Sequence, residues 1–204
     1  MKKITILIFA MGFSGCTAHW TNIDLKPDEA APVSHYSGSK PSNCMAVMDD
    51  LRVTSNGQAA NVNEAFQKRF ITNLKDTHLF STVTDTIPTD RPNNLVNFAL
   101  SIAENQDTNQ GANVTKGFFI GLSLYLLTPV IPLSYDFESD MTLVAMRSDG
   151  RSKRYTAKGK GEARYHLFAN AAMAGEDVRS QITNNNLSAL MNQISQDADF
   201  ICGT

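Results

Sequence analysis

The apolar positions of this chain fall into two periods, and where each holds predicts an element. Cys44 to Val53 (CMAVMDDLRV) reads as a first strand, followed by a polar loop over residues 54–61 that contains Asn56-Gly57. Val62, Phe66, Phe70 and Leu74 then recur every four residues, with Ala65 and Ile71 beside them, which makes one apolar helical stripe ending near Asp76-Thr77. Leu79 to Thr86 suggests a short second strand. From Leu95 to Glu104 the period is two: Val96, Phe98, Leu100 and Ile102 share one side, while Asn97, Ala99, Ser101 and Ala103 share the other. Such a strand has one buried face and one small or polar face.

The strongest tertiary signal is a hairpin from Tyr135 to Ala163. Tyr135, Phe137, Met141, Leu143 and Ala145 share a face on the first arm; Tyr155, Ala157, Gly159, Gly161 and Ala163 share one on the second. A two-residue Asp149-Gly150 loop would set Leu143 against Thr156 and Met141 against Lys158, mixing core with charge. A three-residue loop, Asp149-Gly150-Arg151 with positive φ at the glycine, instead pairs Leu143 with Ala157 and Ala145 with Tyr155. It also sets Asp140 against Lys160, Asp136 against Arg164 and Thr142 against Lys158, and a one-residue slip would undo all of these at once. Gly159 and Gly161 on the core face leave room for a closely packed helix. From Gly175 a second long helix is predicted on Val178, Ile182, Leu187, Leu190, Met191, Ile194 and Ala198, weakened in the middle by Asn184-Asn185-Asn186. Glu176 and Asp177 suit its N-terminal end. The order predicts an α+β fold: a single mainly antiparallel sheet of about five strands with two helices packed on one face.

Between the third strand and the hairpin, residues 117–133 run 17 positions without a charge. The segment is at the lower limit of spanning length, and Pro129 and Pro132 break its far end. It reads first as a buried core helix with a proline-rich crossover. The alternatives are an apolar segment that dips into a lipid leaflet, clasps a hydrophobic ligand or docks on a partner, with Phe118, Phe119, Leu122, Tyr125 and Leu126 as the contact residues. Residues 165–174 (YHLFANAAMA) are a second apolar stretch that could pack against it.

The N-terminus changes the picture. Met1-Lys2-Lys3 precedes an apolar run from Ile4 to Phe13, then Ser14-Gly15-Cys16, the layout of a secretory signal. Phe13-Ser14-Gly15-Cys16 resembles the lipobox of bacterial lipoproteins, with Phe13 where leucine is usual. The resemblance implies removal of residues 1–15, diacylglycerol on the sulfur of Cys16 and an acylated amino terminus. Thr17, rather than aspartate, then implies an outer-membrane anchor facing the periplasm. Residues 16–43, with Pro27, Pro32, Pro41 and Gly38, read as a lipid-anchored tether, and 44–204 as the folded domain carrying the insert 117–133. Trp20, the only tryptophan, lies where an indole suits the headgroup level.

Charge and cysteine content narrow the function. Losing Lys2 and Lys3 with the signal leaves 16 basic against 20 acidic side chains, a formal −4, which offers no case for nucleic acid as a partner. Of three cysteines, Cys44 and Cys202 remain after lipidation of Cys16, an even pair in an oxidising compartment. A bridge between them would contribute roughly 4–5 kcal/mol by loop-closure entropy; the alternative is two buried thiols. His19, His35, His78 and His166 are scattered, with no metal-ligand spacing. No nucleophile elbow or phosphate-binding glycine loop appears. Asp136, Glu138 and Asp140 alternate on one strand face and read as solvated residues paired with lysine and arginine. Asp49 and Asp50 point to opposite faces of a regular strand. No cofactor or metal and no catalytic residue is expected.

The element order also resembles periplasmic accessory lipoproteins with small α/β sandwiches, including auxiliary subunits of lipid-transporting ABC systems. That resemblance implies a membrane-anchored, non-enzymatic accessory or binding subunit of an envelope assembly, transport or secretion system, with an envelope protein as partner. A carrier or sensor for a hydrophobic ligand or lipid is the alternative, and an envelope hydrolase built on Asp136, Glu138 and Asp140 a third.

Overall fold

The computed structural model describes residues 19–24, 44–61, 64–88, 92–128, 130–167 and 171–203. Residues 1–18, where the sequence predicts an export signal and a lipidated Cys16, and 25–43 lie outside them, as do Val62 and the side chain of Trp20. Among the described residues, seven strands form one mixed, mostly antiparallel sheet: β1 (His19–Asp24), β2 (Met45–Ser55), β3 (Gln58–Ala60), β4 (Thr82–Thr84), β5 (Leu95–Asp107), β6 (Leu133–Arg147) and β7 (Ser152–Tyr165). Their spatial order is β1-β7-β6-β5-β2-β3, with β4 also on β2. The helices are α1 (Glu64–Asp76), α2 (Gln110–Leu122), α3 (Ala171–Gln196) and α4 (Ala198–Cys202). The expected α+β class and the single sheet hold; β2 runs parallel to β5 and β4, the part of the pairing that is not antiparallel.

The core lies between one sheet face and the helices α1, α3 and α4. Phe98, Leu100, Met141 and Leu143 of the central strands meet Phe70 and Leu74 of α1, Leu187, Leu190, Met191 and Ile194 of α3, and Ile201 of α4. A smaller cluster joins Phe137 and Ala163 to Ala174, Val178 and Ile182 nearer the start of α3. The α1 stripe buries Phe70 and Leu74 as its period requires, with Glu64 and Lys75 at the ends that suit their charges. Cys44 and Cys202 form a disulfide, with Cα atoms 5.5 Å apart at a sequence separation of 158.

Three expectations are corrected first. Within the segment read as tether, His19–Asp24 is an edge strand on β7. The polar loop 54–61 is a tight hairpin: Asn56 and Gly57 both take positive φ between β2 and β3, the geometry that Asn-Gly favours. On β2 the register with β5 skips at Asp49, so the strand is not regular there. The bulge re-phases it: Met48 lies opposite Phe98, then Leu51 opposite Leu100 and Val53 opposite Ile102, so both apolar runs face the helices.

The hairpin of β6 and β7 does have a three-residue loop, but it is Ser148-Asp149-Gly150. Arg147 accepts from the Gly150 amide and donates to the Arg151 carbonyl, a type I turn closed by glycine at φ 85°. This geometry needs glycine in the last loop position, and the register slides by two residues from the expected one. Leu143 therefore faces Tyr155 and Asp140 faces Lys158. A slip of two leaves every side chain on its own face, so the core set is as expected while each partner moves.

Long α3 crosses β7 where Gly159 lies. A Cβ there would come within 2.6 Å of Ile182 Cγ2 and 2.9 Å of Asn186 Oδ1, so the close approach requires glycine. Asn186 does not weaken the helix. It follows Ile182 by four residues on the buried stripe, and its Nδ2 donates to the Ser139 carbonyl at 3.0 Å. Asn184, on the outer side, accepts from Arg69 of α1.

Candidate functional site

Antiparallel β5 and β6 are joined by residues 108–132, which contain α2 and the charge-free run, so the insert is an elaborated connection at one end of the sheet. Its root is fixed by side-chain amides. Asn113 Nδ2 donates to the carbonyls of Thr108 and Ser134 at 2.7 and 2.8 Å, and its Oδ1 accepts from the Ser134 amide at 3.1 Å. Asn109, just ahead of α2, donates to Asp136 Oδ2 at 2.9 Å and Ser134 Oγ at 3.2 Å. Farther along, His166 Nδ1 lies 3.1 Å from the Thr128 carbonyl. That contact joins the insert to the second apolar stretch, as the sequence suggests.

Beyond this root the insert is not core. Within α2 only Ile120 is buried. Of the candidate contact residues, Phe118 is 62% exposed, Phe119 53%, Leu122 65%, Tyr125 57% and Leu126 79%. The buried-core-helix reading is thereby corrected. Val114, Leu124 and Val130, which the sequence reading did not single out, are as exposed as these. Val114, Phe118 and Leu122 succeed one another at four-residue steps, a single stripe on the side of α2 away from Ile120. The uniform apolarity of 117–133 signalled a special segment but carried no period to say which side faces out.

The end of α2 carries a further cost. Tyr125 N–H donates to the Ile120 carbonyl and Leu124 N–H to that of Gly121, each at 3.0 Å, the double bond of a Schellman cap. Leu124 takes φ 51° and Tyr125 φ 67°. Glycine is the usual occupant of the first of these positions, and a left-handed L-residue costs about 1–2 kcal/mol. Leu124 stands there with its side chain 82% in solvent.

The other polar features make contacts within the fold. Glu104, almost fully buried at the end of the core face of β5, is gripped by Arg179 of α3, whose Nη2 donates to Oε2 at 2.8 Å and Nε to Oε1 at 3.3 Å. Burial would lower the Arg179 pKa, but the Glu104 carboxylate outweighs it and the net shift is upward. Burial raises the nearby Tyr135 phenol. The carboxylates weighed as a catalytic set are each engaged: Asp136 accepts from Asn109, Glu138 from Lys160 at 2.7 Å and Asp140 from Lys158 at 2.8 Å. Arg164, expected opposite Asp136, binds Glu162 on its own strand. A cleft lies beside the Asn56-Gly57 turn, lined among others by Thr54, Asn56, Asn105 and Asp140. Among the described residues no three His, Cys, Asp or Glu side chains gather to hold a metal, and no helix is long and apolar enough to cross a membrane.

No family model and no curated protein matches the sequence. Among solved structures, the chain resembles a DUF330 protein from Xanthomonas campestris, with a TM-score of 0.36 and 10% identity over 81% of this chain and 91% of that one. The rare lipoprotein B from Shewanella oneidensis gives 0.31 and 12% over 74% and 90%. The PelC dodecamer from Paraburkholderia phytofirmans gives 0.31 and 11% over 85% and 98%. These likenesses are distant, and no functional argument rests on them.

Proposed function

We propose that this chain is a lipid-anchored envelope protein that works by binding rather than catalysis, as an accessory subunit of an envelope assembly. The exposed apolar insert carries the reading. Fully burying one Leu or Phe side chain is worth roughly 1.5–3 kcal/mol, and a large exposed apolar surface marks a site of interaction with a protein or a membrane. The insert presents Phe118, Leu122, Leu124, Leu126 and Val130, each at least 62% exposed. The engaged state of Asp136, Glu138 and Asp140 supports the non-catalytic half. A carrier of a hydrophobic ligand is the weaker reading, because it needs the same side chains to line an enclosed space.

Photo-crosslinking residues placed one at a time at Tyr125 in the insert and at Arg154 on the open sheet face test it in living cells. A discrete protein adduct at either position is expected. Adducts within the chain alone, or lipid alone at Tyr125 with nothing at Arg154, would remove the assembly role.

A further inference from the structure

We infer that the apolar insert is seated in the same membrane leaflet as the acyl chains on Cys16, so that the domain stands on the bilayer at two points. The inference rests on the lipoprotein reading of Cys16 and adds what covers the insert. It comes from the register of β1. His19 lies opposite Tyr165, and Tyr165 also lies opposite Leu133, the last residue of the insert. One rung of the sheet thus joins the first strand to the foot of the apolar segment. Cys16 is three residues ahead of His19, and three residues of fully extended chain reach about 10 Å at most. Strand β1 then runs away from this end to Asp24. The lipid-bearing cysteine is therefore confined to the end of the sheet where the insert emerges.

The chemistry of the insert suits hydrocarbon better than a protein rim. Interfaces between proteins keep polar, hydrogen-bonding rims. Here Val114, Phe118 and Leu122 form the outward stripe of α2, and Leu124, Leu126 and Val130 beyond its end are exposed as well, with no charged residue from 117 to 133. The single charge in α2, Lys116, is four residues before Ile120, on the side turned to the protein. At 13 residues α2 spans about 20 Å along its axis, too short to cross a bilayer but suited to lying at the level where acyl chains begin.

The test uses the full chain, processed in bacteria and reconstituted into phosphatidylethanolamine–phosphatidylglycerol vesicles. Leu126→Cys and, as a control at the far hairpin end, Arg151→Cys each carry an environment-sensitive NBD dye on the introduced thiol. Cys44 and Cys202 are held in their disulfide. The expected result is blue-shifted emission at position 126 and its loss when the acyl chains are brominated, with emission at 151 unchanged. Unquenched emission at 126 in vesicle-bound protein would overturn the inference and leave a protein partner or a second copy to cover the insert. Quenching at both positions would overturn the end-on placement. The mass of the mature chain reads acylation of Cys16 separately: without the acyl mass the lipoprotein reading fails, while the dye at 126 still reports whether the insert enters added vesicles.

Discussion

The two ends of the sheet are built on opposite principles. At one end, Cys44 at the start of β2 is bridged to Cys202 at the end of α4, and Ser81 binds the Cys44 carbonyl through both amide and hydroxyl. Asp197 sits between α3 and α4, accepting from the Tyr155 hydroxyl at 2.9 Å and pairing with Lys153. At the other end, β5 and β6 run out into an insert whose root is pinned by Asn109 and Asn113 and whose tip offers apolar side chains to the surroundings. The groups named at the first end find their partners within the chain. Those at the second are left for something outside it, so stability and binding should be separable by mutation.

The largest expected effect is at the closed end. Replacing Cys44 and Cys202 together by alanine should cost about 4–5 kcal/mol, read as a lower urea midpoint, with the dye at position 126 still reporting the insert's surroundings once the chain is folded. Gly159→Ala should cost about 1–3 kcal/mol, because the new methyl must displace Ile182 or Asn186. Gly150→Ala, at a positive φ with open space around it, tests backbone conformation alone and should cost about 1 kcal/mol.

Acid offers a finer probe. Burial would raise the Asp197 carboxyl, but the bonds from Lys153 and Tyr155 outweigh it and hold it below its ordinary value. Its stabilising contribution is complete above the unfolded carboxylate pKa, about 3.9, and is lost as pH falls through the lower folded value. Asp197→Asn should therefore flatten the stability profile below about pH 4 and lower stability by about 1 kcal/mol near neutrality. Smallest of all, Phe118→Ser with Leu122→Ser should shift stability by no more than about 0.5 kcal/mol in solution while abolishing the quenching of the dye at position 126 in brominated vesicles. A large loss of stability from this pair would show that the insert is core after all and would erase the contrast between the ends.

The faces of the strands were legible in the sequence, and their partners were not. Period-two patterning assigns Phe98, Leu100, Met141 and Leu143 to the core because burial of one face constrains parity. A slip of two residues at the hairpin preserves parity, so only the turn geometry around Gly150 could fix the pairing. The bulge at Asp49 is visible afterwards as a change of phase between Ala46-Met48 and Leu51-Val53; read as one strand, CMAVMDDLRV hides it. Strand β3 was missed although Asn56-Gly57 is a hairpin signal, because three polar and small residues gave no apolar period to follow. Asn186 looked like a flaw in α3, since its value depends on a carbonyl of β6 that lies 47 residues away in sequence. Glu104 and Arg179 are 75 residues apart, and nothing local links them. For the candidate site, composition marked the segment but not its exposure: a run without charged residues looks the same whether it is wrapped by protein or by solvent.

The antiparallel pairing of β1 has a mechanical consequence. A force drawn on the chain ahead of His19, along the strand and away from the body, loads the six residue pairs between β1 and β7 in shear. The hydrogen bonds of that ladder then resist side by side, and the strand cannot leave until they slip together. Had the strand run the other way, with Asp24 nearest the pull, the same tension would fold it back and peel the bonds one at a time. The direction of β1 thus makes this edge of the sheet a grip that tension from its own N-terminus does not unzip.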